Sequence, residues 1–257
     1  MLLAFDLDNT VVTRDHLLPP EIARAIGAAR DAGHLVTILT GRPHSSARPF
    51  VEQLGVAPGP YSVNHGALVF GPGGVVIKHR RMSGDHVRAI LSPPLLPAGV
   101  PYACIDGDAL LVDDPADERW AWAHTANRTV DRIDLAAVLE ADKIVFGSNG
   151  ESAELEARLL AQLAVTTYLW GDGYLEITAD DADKGAALAL IARTLGVERE
   201  DTVAFGDGTN DVSMLTWAGH AVSVGPYATP EVRAAANEHV DAPEQLGVAA
   251  WLDGLLG

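Results

Sequence analysis

Leu2-Leu3-Ala4-Phe5-Asp6-Leu7-Asp8-Asn9-Thr10 is an apolar run that stops abruptly at two aspartates. The pattern recurs twice. Leu35-Val36-Thr37-Ile38-Leu39 runs into Thr40-Gly41-Arg42, and Thr202-Val203-Ala204-Phe205 runs into Gly206-Asp207-Gly208-Thr209-Asn210-Asp211. Continuous apolar runs of this length suit strands buried on both faces, as in a parallel sheet covered by helices. In open α/β sheets ligands bind outside the carboxyl ends of the strands. The three polar clusters are therefore expected to meet at one place.

The remaining chain supports such a sheet. Helices are expected over 21–32, 43–54, 184–195, 211–218, 230–236 and 244–255, and a further strand over 221–224. Gly33 falls where a helix end favours a left-handed residue. Pro49 lies inside the second helix and should kink or shorten it. Short strands at 61–63 and 67–70 flank Asn64-His65-Gly66. The stretch 82–175 has a different rhythm. Strands are expected at 100–105, 110–112 and 143–146, with helices at 115–126 (holding Trp120 and Trp122) and 151–163. A hairpin of 165–170 and 174–178 turns at Gly171-Asp172-Gly173. The expected fold is α/β: a Rossmann-like, doubly wound, mostly parallel core from residues 1–81 and 176–257, interrupted by an α+β domain at 82–175.

Composition narrows the function. The 257 residues are 48% hydrophobic and 21% charged, with 18 Lys and Arg against 35 Asp and Glu, a formal net charge of -17. A surface this acidic argues against nucleic acid and anionic membranes as partners. Cys104 is the single cysteine, so no intrachain disulfide forms and a reducing compartment suits the chain. No basic leader precedes the first strand, and no apolar stretch reaches the roughly 18 residues of a membrane span. A cytoplasmic protein is expected.

Asp6 and Asp8 are two apart, so in extended backbone they share a side while Leu7 points into the core. Asp207 and Asp211 bracket a helix start. Four carboxylates converging at strand ends would raise each other's pKa, and a divalent cation would relieve them. Oxygen ligands without His or Cys favour Mg²⁺ over Zn²⁺. Lys184 opens a helix, against the macrodipole, so a negative group is expected beside it. Thr40-Gly41 offers a hydroxyl and backbone N–H groups to an anion. Arg42 could reach the same anion or pair with an acidic neighbour. These groups suit phosphoryl transfer through a carboxylate nucleophile, with Asp8 giving and later taking a proton.

These residues resemble the haloacid dehalogenase-like phosphatase superfamily. Its Asp-x-Asp-x-Thr motif is matched by Asp6 to Thr10, its strand-closing Thr by Thr40, its helix-opening Lys by Lys184, and its Gly-Asp-x-x-Asn-Asp by Gly206 to Asp211. Asn64-His65-Gly66-Ala67, Tyr174-Leu175-Glu176-Ile177, Lys184-Gly185 and Met214-Leu215 are similar to the Cof-type branch, with its large inserted cap. The resemblance implies that Asp6 is the nucleophile and a Mg²⁺ ligand, and that Asp8 is the general acid/base and a ligand through its backbone carbonyl. It further implies that Asp207 ligates Mg²⁺, Asp211 holds the metal shell, and Thr40, Lys184 and Asn210 serve the phosphoryl group.

Two positions depart from the family pattern. Asn9 stands where many members have Gly, a substitution that Asn's tolerance of left-handed backbone permits. Val224-Gly225-Pro226-Tyr227 replaces a more usual Gly-Asn-Ala run. Polar candidates for substrate choice in the inserted domain are Asp106, Asp108, His124, Asn127, Arg128 and Asn149. Trp120 and Trp122 read as its core.

The expected activity is Mg²⁺-dependent hydrolysis of a small phosphorylated metabolite, a sugar phosphate or similar monoester, with oligomeric state left open between monomer and homodimer. Competing readings are a receiver-like phospho-acceptor switch, a phosphotransferase to an acceptor other than water, and a sugar-nucleotide transferase. A receiver places its acidic pair before its acceptor aspartate, and the transferase motif follows a nucleotide-binding region. Neither order occurs here.

Overall fold

The computed structural model describes residues 1–120, 123, 128–147, 150–170 and 173–257. They form two compact units: Met1–Arg42, Ala47–His79 and Asp183–Gly257 in one, Pro43–Ser46 and Arg80–Ala182 in the other.

The first unit is built on five parallel strands: β1 (Leu2–Phe5), β2 (Leu35–Ile38), β3 (Thr202–Gly206), β4 (His220–Val224) and β5 (Glu238–Val240). They lie in the order β5-β4-β3-β1-β2. The chain leaves β1 for one edge and returns on its other side. That reversal, between β1 and β3, is the switch point at which such sheets bind ligands. The helices are α1 (Pro20–Asp31), α2 (His44–Gln53), α3 (Lys184–Leu195), α4 (Val212–Trp217), α5 (Pro230–Ala234) and α6 (Gly247–Leu256). The helix α2 continues through Pro49 rather than ending there.

Alternation along each strand divides the core into two faces. Leu3, Phe5, Val203, Phe205, Val222 and Val224 pack with Ile22 and Ile26 of α1, Val51 of α2 and Val248 and Leu252 of α6. Leu2, Ala4, Ala204 and Ala221 pack with Leu188 and Ile191 of α3, Met214 and Leu215 of α4 and Val232 of α5. One face is thus aromatic and branched, the other mostly alanine. A three-stranded antiparallel sheet, Tyr61–Val63, Leu68–Phe70 and Val76–His79, joins β2 through a parallel bridge from Leu39 to Ser62.

The second unit carries a six-stranded sheet. Its order is Val165–Leu169, Leu175–Ala179, Lys143–Phe146, Tyr102–Asp106, Ala109–Val112, Thr129–Arg132, antiparallel except for the last pair. Helices Gly84–Ile90 and Ser152–Leu160 cover one face through Val87, Ile90, Leu155 and Leu159. On the other face Trp120 packs with Ala103, Ile105, Leu110 and Val112, so this indole is core. Cys104 is buried, and burial pushes its thiol up to about 12. The domain edge expected after residue 175 falls inside the strand Leu175–Ala179, whose ladder partners all lie in this sheet. Of the helix expected at 115–126, the described residues show a 3₁₀ turn, Glu118–Trp120, and a helical Ala123. Trp122, His124, Asn127, Asn149 and the turn residues Gly171 and Asp172 lie outside them. Of the remaining polar candidates, Asp106 pairs with Arg81, and Arg128 donates to the carbonyls of Gly107 and Asp108. Asp108 is exposed.

Phe205 stacks on Phe5 at 4.7 Å and meets Trp251 edge-on at 5.0 Å. Replacing Phe205 by Ala should cost about 3–5 kcal/mol, the range for a buried phenylalanine. Urea unfolding measures this, and a loss below about 1 kcal/mol would contradict this account of the packing.

Candidate active site

β1 ends at Phe5 and delivers Asp6, whose N–H donates to the Phe205 carbonyl of β3 at 3.0 Å. That bond ties the first acidic residue to the strand carrying the second cluster. β3 ends at Gly206, and a 3₁₀ turn over Thr209–Asp211 leads into α4. The turn folds Asp211 back onto its own loop, so that Oδ2 accepts the N–H groups of Asp207 (3.0 Å) and Gly208 (2.9 Å). Position 206 must be glycine for this, because a Cβ there would lie 2.5 Å from the Asp211 Cβ.

Carboxylate oxygens of Asp6, Asp207 and Asp211 lie within 4.8 Å of one another, all three residues buried. α3 begins beside them, with Asp183 capping its start by accepting the Ala186 N–H. Lys184, fully buried, donates from Nζ to Asp6 Oδ1 at 2.6 Å and Asp211 Oδ1 at 2.5 Å. The negative groups expected beside this lysine are these two. Thr10 donates to Asp207 Oδ1 at 3.3 Å, and the Asn9 side chain also bonds that carboxylate. Asn9 has φ +57, the left-handed backbone that Asn accepts.

Three carboxylates against one ammonium leave the cluster short of positive charge. Burial, outweighing Lys184 and reinforced by Asp211, Asp207 and Asp8, raises the Asp6 carboxyl well above its usual range. Burial and then Asp211 push Asp207 up to about 7. Burial alone would lower the Lys184 ammonium, but Asp211 and Asp6 hold it above its ordinary value. An all-oxygen donor set with unmet negative charge fits a hard divalent cation.

The fourth carboxylate does not join them. Asp8 lies near enough to act on Asp6 through space but takes Arg42, which donates from Nε to Oδ2 at 2.8 Å and from its terminal nitrogen to Oδ1. His16 Nδ1 lies 3.6 Å from Asp8 Oδ1. Burial would raise Asp8, but the Arg42 hydrogen bonds and charge bring it below the ordinary carboxylate value. Arg42 also lies over the Phe50 ring at 4.6 Å. Three of the four carboxylates thus gather within ligand distance, and of the two expectations for Arg42 the structure shows the pairing with an acidic neighbour, Asp8. Spacing alone hides this, because β1 ends at Phe5 and the chain bends at Leu7, so strand alternation does not reach Asp8.

Thr40 is buried. Its N–H donates to the Ser62 carbonyl, and its hydroxyl accepts the Arg42 N–H at 3.1 Å. Gly41 lies against the His65 ring, where a Cβ would come within 2.4 Å of Cε1. Asn210 is buried and donates toward His65 Nδ1 at 3.3 Å. Sequence reasoning gave His65 no role. Its signal was a polar residue between Asn64 and Gly66 in a tight turn.

The chain belongs to the haloacid dehalogenase-like hydrolase family, whose model it matches over residues 3–252, and in class it is a phosphoric monoester hydrolase. It is 27% identical over 238 residues to the HMP-PP phosphatase of Serratia proteamaculans, covering 90% of this chain and 86% of that protein. It is 25% identical over 288 residues to the 5-amino-6-(5-phospho-D-ribitylamino)uracil phosphatase YwtE of Bacillus subtilis, covering 99% and 97%. A haloacid dehalogenase-like hydrolase from Bacteroides thetaiotaomicron shares its fold, with a TM-score of 0.85 at 20% identity over 99% of this chain and 98% of that one. No helix among the described residues is long and apolar enough to cross a membrane.

Asp207 gives the site a pH signature. Unfolded, it ionises near 3.8; folded, it keeps its proton to about 7. The native state binds more protons across that window, so this group's contribution to stability falls as pH rises through it and is level above it. Asp207→Asn has no such group. In chelator, the variant's stability relative to wild type should climb from pH 3.8 to about 7 and then hold steady. Urea midpoints at a series of pH values test this, and parallel curves for the two proteins would refute it.

Proposed function

We propose that the protein is a Mg²⁺-dependent phosphatase that hydrolyses a small phosphorylated metabolite, a sugar phosphate or similar monoester, through an aspartyl phosphate on Asp6. The observation that carries this reading is the buried cluster of Asp6, Asp207 and Asp211 around Lys184, at the switch point of the sheet. Asp6, Asp207 and the Asp8 backbone carbonyl would hold the metal, with Asp211 steadying the shell through its bonds to the 207–208 backbone. Bound there, Mg²⁺ supplies positive charge to the equatorial oxygens of the transferring phosphoryl.

The chain's own groups do the rest. An Asp6 oxygen attacks phosphorus and the substrate alkoxide leaves. Asp8, in its acid form, protonates that alkoxide. As a carboxylate it then takes a proton from the water that attacks the aspartyl phosphate, releasing phosphate and restoring Asp6. Arg42 favours the base form of Asp8, so the first step draws on the minor, protonated form and the second on the major one. Lys184, Thr40, the Gly41 N–H and Asn210 hold the phosphoryl oxygens. The relatives are named for phosphorylated small molecules, which supports a substrate of that class. The reading puts the enzyme in the cytoplasm, where the buried Cys104 stays a thiol.

Phosphate release from para-nitrophenyl phosphate and a panel of sugar and nucleotide phosphates, with Mg²⁺ and with chelator, tests the proposal. Activity should require the metal, and Asp6→Asn should lower it by at least about a thousandfold. Release surviving in Asp6→Asn would sink the reading. A stable phosphoprotein without turnover would replace it with a switch.

Asp8→Asn separates the two steps. For an alkyl phosphate, kcat/KM should fall by about 10²–10⁴. For para-nitrophenyl phosphate, whose leaving group departs unprotonated, the fall in kcat/KM should be much smaller. Equal losses on both substrates would remove Asp8 from the role of acid.

A further inference from the structure

The turn Asn64-His65-Gly66 touches three of the loops that carry site residues. Its backbone meets the first: His65 N–H donates to the Thr40 carbonyl at 3.0 Å, and Asn64 N–H to the Arg42 carbonyl at 2.9 Å. Gly66, at φ +96, lies so close to the Asp183 carbonyl at the start of α3 that a Cβ would fall 2.2 Å from its oxygen. The third contact is the His65 ring, laid over Gly41 with Nδ1 3.3 Å from Asn210 Nδ2. His65 is 1% exposed and has φ +57, a left-handed backbone unusual for histidine. A buried side chain in such a backbone persists only when its surroundings hold it.

The Asn210 contact has a direction. The amide nitrogen is a donor, so Nδ1 accepts and the imidazole carries its proton on Nε2. The other end of the amide is also placed: Asn210 Oδ1 sits over Gly208, where a Cβ would lie 2.6 Å away. A reversed amide would set its oxygen against Nδ1 and require the imidazole proton to move there. The amide oxygen is thereby kept on Gly208, and the NH₂ group retains a second hydrogen for another acceptor.

We propose that His65 is a positioning residue of the phosphoryl site: it fixes the Asn210 carboxamide as a donor and holds that loop in register with Thr40-Gly41. This rests on the proposed function, in which Asn210 serves the phosphoryl group. His65 acts through Asn210, so its effect must vanish when Asn210 is gone.

The test is a double-mutant cycle read by calorimetric binding of inorganic phosphate in the presence of Mg²⁺, with kcat and KM on para-nitrophenyl phosphate alongside. His65→Phe and His65→Ala both remove the acceptor, and His65→Asn keeps an acceptor oxygen near the Nδ1 position in a residue that tolerates left-handed backbone. Phosphate affinity should fall roughly tenfold in the first two, as for one lost hydrogen bond to a developed site. It should stay near wild type in His65→Asn. In an Asn210→Ala background the same His65 changes should alter affinity by less than about twofold. Unchanged affinity in the acceptor-free variants overturns the proposal. So does an equal loss in both backgrounds, or a His65→Asn variant as weak as His65→Phe. Wild type that neither binds phosphate nor releases it overturns the phosphatase reading as well, whereas normal wild-type turnover with an indifferent His65 overturns this proposal alone.

Discussion

A single ammonium, Lys184 Nζ, sits without solvent between Asp6 and Asp211, and the core is arranged around that fact. Removing charge from water is costly unless each group finds partners, and breaking one partner of a buried pair strands the other. Three separate parts of the chain must therefore arrive together: the end of β1, the loop after β3 and the first residue of α3. The strand order brings the first two side by side, and the Asp6 N–H bond to Phe205 locks them. The Asp183 cap sets where α3 begins. Even so, one cation among three carboxylates leaves a deficit, which adds to burial in raising the pKa of Asp6 and Asp207. A fold that tolerates such a deficit at its centre is prepared for a second cation.

Much of this could be read from the residues. Apolar runs ending in Asp, Thr and Gly-Asp announced buried parallel strands and the end of the sheet where chemistry gathers. Lys184 announced an anionic neighbour by opening a helix. What could not be read lies where local periodicity ends. The strand stops at Phe5 and the chain bends at Leu7, so Asp8 does not follow the line set by Asp6 and meets Arg42 instead. Pro49 forfeits one helical hydrogen bond, yet α2 continues, because Ala47 and Val51 on either side of it are buried in the core. The strand Leu175–Ala179 belongs to the second unit through its ladders, which no composition shift marks. His65 could be read only as part of the Asn64–Ala67 resemblance, because its contacts with Gly41 and Asn210 are tertiary.

The second unit shows how charged residues can be structural. Lys143 is buried and paired with Glu176 at 2.8 Å, and Arg81 gathers Asp106, Glu140 and Asp142. Acidic residues scattered through this part of the sequence thus answer to local arginine and lysine. The triad of the first unit differs in having more carboxylates than its lysine can match.

The two faces of the core sheet are built to different tolerances. Phe5, Phe205, Val222 and Val224 form a thick layer whose volume can be redistributed among neighbours. Ala4, Ala204 and Ala221 form a thin one, and α3 rests on it. Those three methyl groups act as a shim. They share a cluster with Leu188 and Ile191 of α3, the helix that Lys184 opens. A thick layer of large side chains can absorb an exchange of one hydrophobe for another by repacking, whereas a layer of methyl groups has little volume to redistribute. A methylene added there presses first on α3, so this alanine layer is the part of the core from which a change in packing has the shortest path to the cluster.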